Sequence, residues 1–126
     1  MRAVDTNVLV RLITRDDSAH VSSAEAFVAP GAWVSLLVLV ETVWVLDAVY
    51  KLEHSSIAKA IDMLLSHRSI TLQDADVVAL GLDQYRRRPV LGFSDCLVLE
   101  VARKAGHLPL GTFDRNLSKL SGTKHL

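Results

Sequence analysis

Four carboxylates in this 126-residue chain stand among residue types that ordinarily exclude them. Asp5 lies in Ala3-Val4-Asp5-Thr6-Asn7, and Glu41 interrupts Leu39-Val40-Glu41-Thr42-Val43-Trp44 with no basic residue nearby. Asp95 lies in Phe93-Ser94-Asp95-Cys96-Leu97, and Asp114 in Thr112-Phe113-Asp114-Arg115-Asn116. An ionised carboxylate buried without a partner costs roughly several kcal/mol. Four brought together would also repel one another and raise one another's pKa values. A divalent cation offsets both costs, and acids gathered around such an ion are suited to phosphate-ester chemistry.

Each aspartate also has a plainer use, because Asp is a favoured helix cap. Glu41 has no capping role in mid-helix, so a structural use for it needs a distant arginine. The remaining acids look solvated: Glu100 is expected on a polar face with Arg103 and Lys104, and Asp16 and Asp17 in a polar turn. His20, His54, His67, His107 and His125 lack zinc-ligand spacing. Cys96 is expected in the core, and Ser94 lacks the Gly-x-Ser-x-Gly setting of a nucleophile. No phosphate-binding glycine loop occurs. Arg86-Arg87-Arg88, the one basic run, reads first as a solvated helix end.

The elements that must position the acids alternate in type. Met1–Asp5 is expected as a short buried strand, and Thr6–Thr14 as a helix with Val8, Leu9, Leu12 and Ile13 on one stripe. Ser18–Val28 is a second helix, stopped by Pro30-Gly31, and Ala32–Ser35 a second strand. Leu36–Tyr50 has helical length but is apolar nearly all round, which predicts burial on more than one side. Ser55–Leu65 is an amphipathic helix with a serine cap, Ile70–Leu72 a strand and Asp74–Tyr85 a helix. Asp95–Ala105 is a helix capped by Ser94 and stopped by Gly106. Pro109–Thr112 is a strand, Asp114–Leu120 a short helix, and Thr123–Leu126 a last strand. Alternating strands and helices predict an α/β fold on a parallel sheet with helices on both faces. Ligands of such sheets bind beyond the carboxyl ends of the strands, where Asp5 and Asp114 fall. Asp95 opens a helix, and Glu41 can reach the same edge from its own.

Length and composition fit one domain over residues 1–126 with a real core. Half the residues are hydrophobic and 22% charged, so disorder is not expected. Lys plus Arg and Asp plus Glu balance at 14 each, which neither reveals nor excludes nucleic acid. A lone cysteine fits a reducing, cytoplasmic setting. The N-terminus does not read as a signal peptide, and no apolar stretch is long enough for a membrane span.

Val4-Asp5-Thr6-Asn7-Val8-Leu9-Val10-Arg11 resembles the opening motif of PIN-domain ribonucleases, especially the VapC-type toxins of bacterial toxin–antitoxin pairs. The segments around Glu41, Asp95 and Asp114 resemble the family's second, third and fourth acidic motifs. Alanine is commoner in the family than Ser94 or Cys96 beside the third acid. The resemblance runs in order along essentially the whole chain. It implies a three-layer α/β/α sandwich with a central parallel sheet. It also implies that Asp5, Glu41, Asp95 and Asp114 bind one or two Mg²⁺ or Mn²⁺ ions, supported by Thr6, Asn7 and Thr112. The activity implied is endoribonucleolytic: metal-activated water attacks phosphorus and leaves a 5′-phosphate and a 3′-hydroxyl. Arg11, Arg15, Arg86, Arg87, Arg88 and Arg115 are candidate phosphate contacts. The family also implies an RNA substrate, a homodimer and a cognate antitoxin in an apolar groove, and the helix with Trp44 offers an apolar surface for covering. Two other functions remain open. One is an aspartyl phosphatase with Asp5 as nucleophile, although Asn7 stands where a second Asp is wanted. The other is a catalytically idle scaffold that binds RNA or protein.

Overall fold

A computed structural model describes every residue from Met1 to Leu126. The chain divides into two compact units, Met1–Ala75 and Asp76–Leu126.

The first unit runs β1 (Arg2–Ala3), α1 (Thr6–Thr14), α2 (Ser18–Val28), β2 (Ala32–Val34), α3 (Leu36–Ala48), α4 (His54–Ser66) and β3 (Ile70–Leu72). Its strands form a parallel sheet in the order β1-β2-β3, with Ala3 opposite Trp33 and Val34 opposite Leu72. The Val4 amide donates to the Trp33 carbonyl at 3.2 Å, extending the β1 ladder toward Asp5. The predicted first strand is shorter than Met1–Asp5, and its two residues are exposed rather than buried. Only Val4, just beyond it, enters the core.

α1 packs against α2 and α3. Leu9, Val10 and Leu12 are its buried apolar residues, so Val10 takes an inner place that the sequence stripe gave to Val8 and Ile13. α3 starts on a strong double cap. Ser35 Oγ accepts from the Val38 amide at 3.1 Å, and the Leu36 amide donates to Gln73 Oε1 at 2.9 Å, just past β3. α3 is buried along one stripe only, Leu39, Thr42, Val43 and Leu46. The predicted burial on more than one side is therefore corrected: Leu37, Trp44 and Val49 stand in solvent at 83%, 63% and 62% exposure. The serine cap predicted for α4 is also corrected. Ser55 lies inside that helix, whose N-cap is Glu53 with no side-chain hydrogen bond.

Asp16 is not the freely solvated acid the sequence suggested. It accepts from Arg11 Nη1 at 2.8 Å, Thr14 Oγ1 at 3.0 Å and the Tyr50 hydroxyl at 2.9 Å. Those bonds join the end of α1 to Tyr50, two residues beyond α3, and hold the carboxyl down at a pKa of about 2.

The second unit contains α5 (Ala75–Arg87) from Asp76 onward, α6 (Phe93–Ala105), β4 (Leu110–Thr112), a 3₁₀ turn (Leu117–Lys119) and β5 (Thr123–His125). β4 and β5 pair in parallel, Leu110 opposite Thr123 and Thr112 opposite His125. Gly81 permits close packing inside this unit, since a Cβ there would stand 2.9 Å from Leu97 Cδ2. The Tyr85 and Phe93 rings meet edge to face at 5.7 Å. Gly106 ends α6 at φ +83°, as predicted, but the N-cap is Gly92 rather than Ser94. The predicted helix Asp114–Leu120 shrinks to the 3₁₀ turn.

Glu100 overturns its sequence reading most clearly. It is 4% exposed, not on a polar face. Its Oε1 accepts from Arg103 Nε at 3.2 Å, while Oε2 is buried without a partner. Arg103 Nη2 also donates to the Ser121 carbonyl at 2.7 Å, fastening α6 to the turn before β5. Lys104 turns instead to Asp76 at 3.1 Å.

The fold is thus α/β with parallel strands, as the sequence predicts, and its strands lie in one three-stranded and one two-stranded sheet. No helix is long and apolar enough to cross a membrane.

Candidate active site

Asp5 is delivered by the end of β1 and caps α1, its Oδ1 facing the Val8 amide at 3.4 Å. That contact is long for a hydrogen bond, so capping alone makes weak use of the charge. Thr6 opens α1 and is buried. Its hydroxyl donates to Glu41 Oε1 at 2.6 Å, a short charge-assisted bond across 35 positions of sequence. Asp5, Thr6, Asn7 and Glu41 line one open cleft of about 670 Å³, walled by apolar side chains that include Leu37 and Trp44. The first unit therefore brings together two of the four acids and two of the three supporting residues.

The other two acids belong to the second unit. Asp95 sits in the first turn of α6, half-buried, and accepts no hydrogen bond. Burial pushes its carboxyl upward, and the nearby charge of Asp114 adds to the shift. Asp114 follows β4 in a tight turn. Its Oδ1 accepts from the amides of Asn116 at 2.8 Å and Leu117 at 2.9 Å, while its own amide donates to Thr112 Oγ1 at 3.0 Å. Thr112 thus supports Asp114 through the backbone. The Asn116 and Leu117 amides were not singled out in the sequence, although an Asp side chain commonly accepts from the backbone two residues on.

The arginines take varied places. Arg11 binds Asp16, Arg15 reaches Glu25 at 3.3 Å and Arg87 reaches Asp83 at 3.2 Å. Arg86 has a partner of its own, and Arg88 and Arg115 are exposed. Cys96 is fully buried, and burial, aided by Asp95 and Glu100, lifts its thiol to about 11, so it is no nucleophile at neutral pH.

Nowhere do three or more His, Cys, Asp or Glu side chains stand close enough together to hold a metal ion. Mg²⁺ does not require such a cage, since it is held through one or two carboxylates and keeps several waters. The Asp5–Glu41 pair, all hard oxygen in an open cleft, fits that kind of ion.

The PIN domain family profile matches residues 2–122. Among solved structures, the chain is similar to VapC20 of Mycobacterium tuberculosis, a toxin that cleaves the sarcin–ricin loop. Identity is 22%, the match covers 98% of this chain and 97% of that one, and the TM-score is 0.44. No curated protein matches.

Proposed function

Since the chain belongs to the PIN domain family, we propose that it is a Mg²⁺- or Mn²⁺-dependent endoribonuclease and the toxin of a toxin–antitoxin pair. The observation that carries this reading is the cleft pairing Asp5 with Glu41 and fixing Glu41 by the Thr6 hydroxyl. The family match spans both compact units, which supports reading them as one nuclease domain, and the resemblance of their motifs supports Asp95 and Asp114 as further acids of the reaction.

Each chain residue then has a task. Asp5 and Glu41 offer anionic oxygens to the ion, and Thr6 keeps Glu41 from swinging out of the cleft. Thr112 and the amides after Asp114 hold that acid in one orientation. Asp95, whose carboxyl is pushed upward first by burial and then by Asp114, would offer an anionic oxygen once a nearby cation offset that charge. The bound ion would supply charge stabilisation and an activated water for phosphodiester hydrolysis. Arg88 and Arg115 are exposed and stand among the arginines that could meet phosphates.

A second copy of the chain and an antitoxin are the proposed protein partners, in a cytoplasmic setting. The solvent-exposed Leu37 and Trp44 on the cleft wall support an apolar partner there.

The test is cleavage of labelled RNA by purified protein with Mg²⁺. Asp5→Asn and Glu41→Gln should each lower the rate by at least about 100-fold, on the order of losing an essential charge-stabilising group, while keeping the circular dichroism of the wild type. Undiminished cleavage by either variant, or in excess EDTA, would falsify the proposal. Metal binding without cleavage of any RNA would favour the idle scaffold instead.

A further inference from the structure

Asn7 lines a second cleft besides the acidic one. This neighbour, about 390 Å³, lies between α1 and α2 and has different chemistry. Its lining includes Val8 and Phe27, apolar, and Arg11, His20 and Ser23, which carry hydrogen-bond donors. No carboxylate lines it.

The donors are only partly used. Arg11 spends one Nη on Asp16, and guanidinium carries five N–H groups in all. His20 faces Asp17 through Nδ1 at 3.3 Å, which leaves Nε2 uncommitted. Phe27 is held from outside the cleft lining by Arg2, whose guanidinium lies 3.8 Å from the ring centroid and donates to the Phe27 carbonyl. A fixed aromatic ring beside open donors suits a nucleotide: the base against Phe27 and Val8, the phosphate on Arg11, His20 and Ser23. Asn7 and Arg11 are one helical turn apart on α1, about 5–6 Å between Cβ atoms. That is the order of one nucleotide step.

We infer that the α1–α2 cleft is a substrate subsite that holds the nucleotide flanking the cleaved bond of a single-stranded RNA, with Asn7 as the ridge between it and the acidic cleft. This rests on the ribonuclease reading and adds a specified strand path to it. The division of labour follows from the lining. The acidic cleft repels phosphate until a cation fills it, whereas the neighbouring cleft is lined by no carboxylate and offers phosphate the unspent donors of Arg11, His20 and Ser23.

Binding can be separated from cutting. Fluorescently labelled oligoribonucleotides, lengthened one nucleotide at a time on either side, are titrated against the full chain in EDTA and followed by anisotropy. One added nucleotide on one flank should tighten wild-type binding about fivefold or more, the order of one stacked base. His20→Ala combined with Ser23→Ala should abolish that step while leaving shorter oligonucleotides unaffected. Arg11→Gln, which can still hydrogen-bond Asp16, should lower the slope of log affinity against log salt by roughly 0.7, one phosphate contact on a single strand. Absence of any length step, or a step that survives in the double variant with an unchanged salt slope, overturns the subsite. Wild-type protein that shows the step but never cuts RNA in Mg²⁺ defeats the nuclease reading and leaves the subsite standing. If a peptide or a second copy of the chain occupies the cleft instead, RNA binding will not respond to these substitutions, which also overturns it.

Discussion

Thr6 and Asp95, one in each compact unit, show how differently two predicted site residues are treated. Thr6 is buried and spends its hydroxyl on Glu41. Thr6→Val removes the donor while keeping the shape, so it should cost about 1 kcal/mol of stability and slow cleavage, whereas Thr6→Ser should restore both. Chemical denaturation and an RNA cleavage assay read the two effects. Asp95 has no hydrogen bond, and its folded pKa lies above the ordinary 3.8. Between those two values the folded state holds the proton more often than the unfolded state, so stability falls as pH rises through that window. Asp95→Asn should therefore melt higher than the metal-free wild type at pH 7, and the difference should vanish below pH 3.8. A melting temperature for the variant that stays below wild type at pH 7 would contradict the shift. The sequence disclosed both residues, because acids and hydroxyls in apolar segments stand out. It hid Glu100, whose neighbours Arg103 and Lys104 imitate a solvated face while the helix turns it inward.

Elements were legible where they obey local rules. The bounds of α1, α2 and β3 match the sequence reading because caps, Pro30-Gly31 and short apolar runs mark them. The facing of α3 was not legible, since an apolar surface all round carries no phase. Only packing of Leu39, Thr42, Val43 and Leu46 decides which stripe is inside. The Asp16 cluster was equally hidden, as Tyr50 lies 34 positions away. That cluster makes a pH prediction of the opposite sign to Asp95. Asp16 has a folded pKa of about 2 against an ordinary 3.8, so its contribution is fully present above 3.8 and is lost as pH falls through about 2. Tyr50→Phe should raise the Asp16 carboxyl pKa in an NMR titration; an unmoved midpoint would disprove the link between α1 and the end of α3. In α6, the Glu100–Arg103 pair offers a stability cycle. Arg103→Leu strands a buried carboxylate and should cost about 3 kcal/mol. Adding Glu100→Met to it should recover most of that loss in urea denaturation.

For the whole molecule, the family assignment rests on the profile match over residues 2–122, and the resemblance that anticipated it came from four acidic segments in order, which a linear sequence displays well. Division into two compact units is a matter of contact density, and no linker, composition change or charge run marks residue 75. Metal binding should act on the entire chain by linkage. At a Mg²⁺ concentration 100 times its Kd, unfolding should become about 2.7 kcal/mol harder, and a calorimetric scan of Glu41→Gln should show little of that rise. Which metal produces the effect is foreshadowed by the acids' internal bonds. Glu41 Oε1 accepts from the Thr6 hydroxyl and Asp114 Oδ1 from two backbone amides, so in each of these acids the second oxygen is the one without a protein donor. Few carboxylate donors suit a small octahedral ion that keeps its waters, and serve less well Ca²⁺, which takes six to eight oxygen ligands. Calcium should therefore be a poor competitor for magnesium in this protein, a selectivity set by the number of oxygen donors rather than by charge.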